Sequence, residues 1–147
     1  VLVYVALALF VCEEQFNEAI KTIVEGRHDK EKPLWTQERV EEAITAIEQF
    51  KSAPVLNLKR TNKQYYYGNK YDVMEVGRTK FLILKRKFAS DSVVKIVTPN
   101  EFYAILCETH QATGHGGRDK MLYYLKSRYL IPTSVVLECL KLCTVSK

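Results

Sequence analysis

The hydrophobic period changes twice along this chain, and that change constrains its fold more than any other feature. Phe16, Ala19, Ile20, Ile23 and Val24 recur at i, i+3, i+4, i+7 and i+8, the stripe of an amphipathic helix over residues 13–24. Gly26 follows as a stop. Residues 27–33 are charged and turn-like. A second helix is predicted over 37–51, with Thr36 as N-cap and a stripe of Val40, Ala43, Ile44, Ile47 and Phe50. Acidic residues cover its other face, and Pro54 ends it. Short segments rich in β-branched and aromatic residues then take over, at 55–59, 64–67, 71–76, 81–85 and 93–97. Gly68-Asn69, Gly77 and Ser90-Asp91 punctuate them. They read as hairpins of a small antiparallel sheet. Beyond Thr98-Pro99-Asn100, where Asn100 is a candidate cap, the helical period returns. Phe102, Ile105, Leu106 and Thr109 share one face, Gly114-His115-Gly116-Gly117 interrupts it, and further helices follow over 118–129 and from Pro132-Thr133 onward.

The expected class is therefore α+β. Two amphipathic helices occupy an acidic segment, residues 1–54. A small antiparallel β extension occupies 55–98, and a three-helix bundle occupies 99–147. Charge follows a similar division. The first 52 residues hold six Lys/Arg against ten Asp/Glu, and the remaining 95 hold sixteen against seven. Two parts of opposite sign point to different partners.

The twelve residues 1–12 are apolar without a break, too few for a membrane-spanning helix of about 20. No cation precedes them and no small-residue cleavage site follows. The expectation is a buried strand or helix turn, with a truncated membrane or signal segment as the alternative. No membrane association is expected. The four cysteines are Cys12, Cys107, Cys139 and Cys143. Without support for secretion, they read as free thiols or metal ligands in a reducing compartment.

The chemistry is concentrated near the C-terminus. His110 and His115 are separated by four residues, at a helix end and in the loop after it, and two imidazoles so placed can converge on one metal ion. Cys143 follows His115 after 27 intervening residues. A bundle this short has little core of its own, so a metal clip would stabilise it. The plain alternative is two surface histidines.

The stretch HQATGHGGRDKMLYYLKSRYLIP resembles the zinc-binding N-terminal domain of retroviral and Ty3/gypsy-type retrotransposon integrases, and of host proteins derived from them. Its matching positions are His110, Gly114, His115, Gly117, Lys120, Tyr123, Tyr124, Tyr129 and Pro132. The hairpins before it resemble the extension that often precedes that domain in the gypsy group. The resemblance covers about residues 60–147. It implies a zinc site of His110, His115 and Cys143, completed by a second cysteine three residues after Cys143. That position is Ser146, whose hydroxyl is a poor zinc ligand beside a thiolate. Zinc binding is accordingly expected to be weak. Cys139, four residues before Cys143, is a weak substitute ligand, or else a core thiol.

The resemblance also implies DNA or another nucleic acid as partner, without sequence specificity, with homo-oligomerisation possible and the nucleus as location. The candidate phosphate-contacting residues are Lys85, Arg86 and Lys87, which end a predicted strand, and Arg118, Lys120, Lys126 and Arg128 in the helix after the histidine loop. Lys59, Arg60, Lys63, Lys70, Arg78 and Lys80 add charge, and Tyr65, Tyr66 and Tyr67 could stack on bases. The alternative for Lys85–87 is a solvated sheet edge. Integrase chemistry needs a carboxylate core that the resemblance places after the zinc domain. The sequence stops at Lys147, so no enzymatic activity is expected. Two other readings stay open: a protein-interaction module with a decayed zinc site, and a nonfunctional truncated product.

Overall fold

A computed structural model describes residues 13–26, 34–114 and 116–142. Its class is mixed α+β, with six helices and four short strands among the described residues. In chain order these are α1 (Glu13–Glu25), α2 (Gln37–Ser52), α3 (Asn62–Lys70), β1 (Tyr71–Val76), β2 (Thr79–Leu84), β3 (Lys95–Ile96), α4 (Pro99–Ala112), α5 (Arg118–Lys126), β4 (Tyr129–Leu130) and α6 (Thr133–Leu142). They form two compact units. One comprises Trp35–Ile96, and the other Val1–Leu34 with Val97–Lys147.

The Trp35–Ile96 unit packs α2 and α3 with the antiparallel sheet. The Thr36 hydroxyl accepts from the Arg39 N–H at 3.2 Å and caps α2, as its sequence predicts. Buried Val40, Ala43, Ala46 and Ile47 form the inner stripe of α2, and they meet Trp35, Tyr67, Leu82 and Ile96. The ring of Trp35 stands edge-on to Tyr71 at 5.1 Å. The β1 and β2 strands pair antiparallel from Tyr71↔Leu84 to Val76↔Thr79. Only Gly77 and Arg78 lie between them. Gly77 takes φ +61° while Arg78 keeps a negative φ, the requirement of a type II′ hairpin turn. The β3 strand pairs antiparallel with β2 at Ile83↔Lys95.

Two segments expected as strands are not strands. Residues 64–67 lie inside α3. Thr61 and Gln64 form a capping box: the Thr61 hydroxyl accepts from the Gln64 N–H at 3.2 Å, and the Gln64 side chain accepts from the Thr61 N–H at 2.9 Å. This cap overrides the strand preference of three consecutive tyrosines, which is weak without a pleated surface to pack on. Tyr67 and Gly68 then turn inward toward α2. Residues 53–57 form a turn and 58–59 are irregular; Leu58 donates to the Ala53 carbonyl at 2.8 Å and Asn57 takes φ +55°. That left-handed residue folds the chain back on the end of α2 and prevents an extended run.

The other unit is helical. Its core contains Phe16 and Ile20 of α1, Phe102, Ile105 and Leu106 of α4, Met121 and Leu125 of α5, and Val135, Val136 and Cys139 of α6. The ring of Phe16 tilts against Tyr103 at 5.5 Å. The N-terminal helix α1 thus shares a core with the three C-terminal helices. The α4 cap is Thr98 rather than Asn100. Glu101 accepts from the Thr98 N–H at 2.9 Å, and Pro99 occupies the first helical position, where no backbone donor is needed.

Candidate metal and nucleic-acid site

The first imidazole of the candidate metal site sits at the end of α4. His110 is fully buried, beside equally buried Thr109. The Thr109 hydroxyl donates to the Ile105 carbonyl at 2.8 Å, and that of Thr113 to the Thr109 carbonyl at 2.9 Å, so the last turn supplies its own polar partners. Gly114 follows with φ +63° and donates to the Gln111 carbonyl at 3.1 Å. A β-carbon would strain that backbone, so glycine is required for the reversal.

Gly116 is required for a different reason. A β-carbon there would lie 2.8 Å from the Lys120 Cβ and 3.1 Å from the Thr113 carbonyl oxygen. Gly114 and Gly116 are thus fixed by backbone angle and by close contact with Lys120 and Thr113, respectively. This is a steric basis for the motif that needs no ligand. Gly117 is the N-cap of α5, and its carbonyl accepts from the Met121 N–H at 3.1 Å.

His115, Cys143 and Ser146 lie outside the described residues, as does Cys12. Cys139 is fully buried on α6, within the apolar core. Among the described residues no three His, Cys, Asp or Glu side chains gather as metal ligands. Two of the four candidate donors, His115 and Cys143, are not among those residues. The two that are, an imidazole and a thiol kept from water in one helical unit, have the nitrogen and sulfur chemistry that zinc accepts. Cys107 is also buried in this unit. Burial pushes its thiol up to about 11 against a weak opposing hydrogen bond from Tyr103, so it stays protonated and poorly nucleophilic.

The candidate phosphate contacts divide between the units. Arg118, Lys120, Lys126 and Arg128 are all exposed on or just after α5. Arg118 and Lys120 stand in the first turn of that helix, at the positive end of its dipole, together with Asp119, whose carboxylate suits that end and offsets part of their unfavourable interaction. The Arg128 guanidinium lies 3.9 Å over the Tyr124 ring and donates to the Tyr124 carbonyl at 2.8 Å. Lys85, Arg86 and Lys87 do not form one uniform patch. The Lys85 ammonium donates to the Gly68 carbonyl at 2.8 Å and the Arg86 guanidinium to the Ala89 carbonyl at 3.2 Å, while the Lys87 side chain is exposed.

Three other lysines are held by carboxylates. Lys63 pairs with Glu42, Lys80 with Glu48 at 2.9 Å, and Lys51 with Asp72 at 2.6 Å. Burial alone would push Asp72 up, but the hydrogen bonds from Lys51 and the Val73 N–H, with nearby ammonium charge, hold its carboxyl below the usual aspartate value. The acidic face of α2 is thus partly neutralised by its neighbours in the fold. Counted by unit, residues 35–96 hold twelve Lys/Arg against seven Asp/Glu, and the rest of the chain holds ten of each. The whole formal charge of +5 belongs to the sheet-containing unit.

No family model matches the chain, and no solved structure matches it. The chain is similar to the human protein named KRAB-A domain-containing protein 2, at 29 % identity over 131 residues. The match covers 88 % of this chain and 26 % of that protein, so the chain spans about a quarter of the length of this curated relative. No helix among the described residues is long and apolar enough to cross a membrane.

Proposed function

We propose that this chain is a non-enzymatic, integrase-derived zinc-binding module that associates with nucleic acid or oligomerises, and that it works in the nucleus. His110, His115 and Cys143 would hold the metal, with Cys139 as the substitute for the cysteine that Ser146 replaces. The observation that carries this reading is the complete burial of His110 at the end of α4, next to the glycine-flanked loop that bears His115. A bound zinc ion would engage one ring nitrogen of this enclosed imidazole. Bound zinc would supply a structural clip between α4 and the chain after α6, and it would carry out no reaction.

The surface cations support the second half of the reading. Arg118, Lys120, Lys126 and Arg128 on the α5 side and Lys85, Arg86 and Lys87 on the sheet side would contact phosphates without reading sequence. Zinc per chain and the thermal midpoint with and without chelator test the metal. Substoichiometric zinc that is lost on dialysis, with a midpoint that falls in chelator, is the expected result for a site short of one thiolate. No bound zinc and an unchanged midpoint would replace this reading by that of an interaction module with a decayed site. Binding to DNA that is sequence-tolerant and weakens steeply with salt is the expected signature of the nucleic-acid half.

A further inference from the structure

Several cations of the sheet-containing unit lie over aromatic rings, and among the described residues these cations form no ion pair with a carboxylate. The Phe50 ring is the centre. The Arg60 guanidinium lies 3.7 Å from its centroid and 5.9 Å from that of Tyr65, and the Lys85 ammonium lies 6.0 Å from Phe50. Tyr65 stands edge-on to Phe50 at 5.7 Å. One residue along α3, Tyr66 has the Lys70 ammonium 4.4 Å from its ring. Arg60 is anchored by donating to the Phe50 carbonyl at 2.8 Å, and Lys85 by the Gly68 carbonyl, so both charges are held in place by uncharged acceptors.

The contrast with Lys51, Lys63 and Lys80 matters. Those three ammoniums are in contact with Asp72, Glu42 and Glu48, whereas Arg60, Lys70 and Lys85 touch no carboxylate among the described residues, although the charge of Lys85 also reaches Asp72. Tyr65 and Tyr66 are 46 % and 44 % exposed, large areas for rings in the middle of an ordered helix. Half-open aromatic rings beside fixed cations suit a chain of alternating bases and phosphates. A duplex offers phosphates but keeps its bases stacked inside, so it would use only the cations.

We propose that the α3 face of the sheet-containing unit, formed by Arg60, Tyr65, Tyr66, Lys70 and Lys85, binds single-stranded nucleic acid by base stacking and phosphate pairing, without any metal. This rests on the nucleic-acid half of the function proposed above and places the contact in the unit that carries the net charge.

The test is fluorescence anisotropy at low salt with the full chain. The probes are an oligothymidylate, an abasic oligomer of equal length and charge, and a duplex. The wild type should bind oligothymidylate about tenfold more tightly than the abasic strand, the effect of roughly one stacked base. Tyr66→Ala should remove most of that preference, and Tyr66→Phe should keep it. Lys70→Gln with Lys85→Gln should weaken binding to every probe, while Lys63→Gln with Lys80→Gln, equal in charge removed, should change it little. Trp35 fluorescence reports whether each variant is folded. Equal wild-type affinity for the thymidylate and abasic strands would overturn the stacking proposal. Binding lost in the variant R118Q/K120Q/K126Q/R128Q but kept in the Tyr66 and Lys70/Lys85 variants would overturn this placement and leave the proposed function standing. No binding of any probe would remove both, with zinc content still testing the metal half independently.

Discussion

Gly68→Ala is the sharpest test of how α2 and α3 are packed. A β-carbon on Gly68 would lie 2.6 Å from both Cγ and Cδ1 of Phe50 and 2.9 Å from Cδ2, closer than carbon atoms approach in real structures. Alanine in place of a helical glycine gains up to about 1 kcal/mol in backbone terms. Overpacking a filled contact costs about 1–3 kcal/mol. The Phe50 ring is hemmed in, with Arg60 over it at 3.7 Å and Tyr65 at 5.7 Å, so it cannot swing away freely. The steric cost therefore takes the upper part of its range, and the net expectation is a loss of about 1–2 kcal/mol.

Trp35 is the only tryptophan and lies in the same unit, so its fluorescence during urea or thermal unfolding follows this unit directly. For a unit of this size the loss corresponds to a fall in midpoint of about 4–16 °C. A Phe50→Ala background supplies the control. Truncating the ring destabilises the unit by itself, but it makes room for the new methyl group, so Gly68→Ala should there become neutral or stabilising. The cycle should show a coupling of roughly 1–3 kcal/mol. A Gly68→Ala variant at least as stable as the parent, with Phe50 intact, would refute the packing argument.

Other outcomes follow from local chemistry. Thr61→Ala removes half of the capping box of α3 and should cost about 1 kcal/mol, read from the same fluorescence transition. Cys107, with its thiol raised to about 11 and its side chain buried, should resist alkylation near neutral pH while the chain is folded and react fully once urea unfolds it; mass mapping of the labelled thiols decides this. Its raised pKa also stabilises the neutral thiol in the fold, a contribution that is complete below the ordinary thiol value of 9.0 and lost as pH rises from there toward 11. Asp72 works in the opposite direction. Its lowered carboxyl favours the fold above the ordinary aspartate pKa, and this support fades as pH falls through the depressed value, so Asp72→Asn should flatten the acid limb of the Trp35-monitored stability curve.

The elements that were legible from residue order share a local cause. The stripe of α1, the Thr36 cap and length of α2, the Gly77 turn and the Gly114 break are all set by residues within a few positions of one another. Residues 64–67 read as a strand by their aromatic content, but the cap signal before them is equally local and prevails. Thr61 and Gln64 have the three-residue spacing of a capping box, and they announce the helix before its tyrosines are read. Cap evidence of that kind would also have named Thr98, three residues before Glu101. For the candidate site, the motif singled out His110 without indicating that its side chain is wholly enclosed.

What the sequence determined by itself is therefore the identity and ends of most elements, because helix stripes, caps and turns are short-range effects of side-chain spacing and backbone angle. It also singled out the histidine motif and supplied the total charge. Tertiary structure alone decided which cations are available. Along the chain the charge divides near residue 52 into an acidic first part and a basic remainder. In space α2 brings Glu42 and Glu48 to Lys63 and Lys80, α1 joins the C-terminal helices, and the net +5 belongs wholly to residues 35–96. The reason is physical. Ion pairing depends on distances of a few ångströms between groups that lie 21 and 32 residues apart in these pairs, and no periodicity encodes those distances until the core has closed.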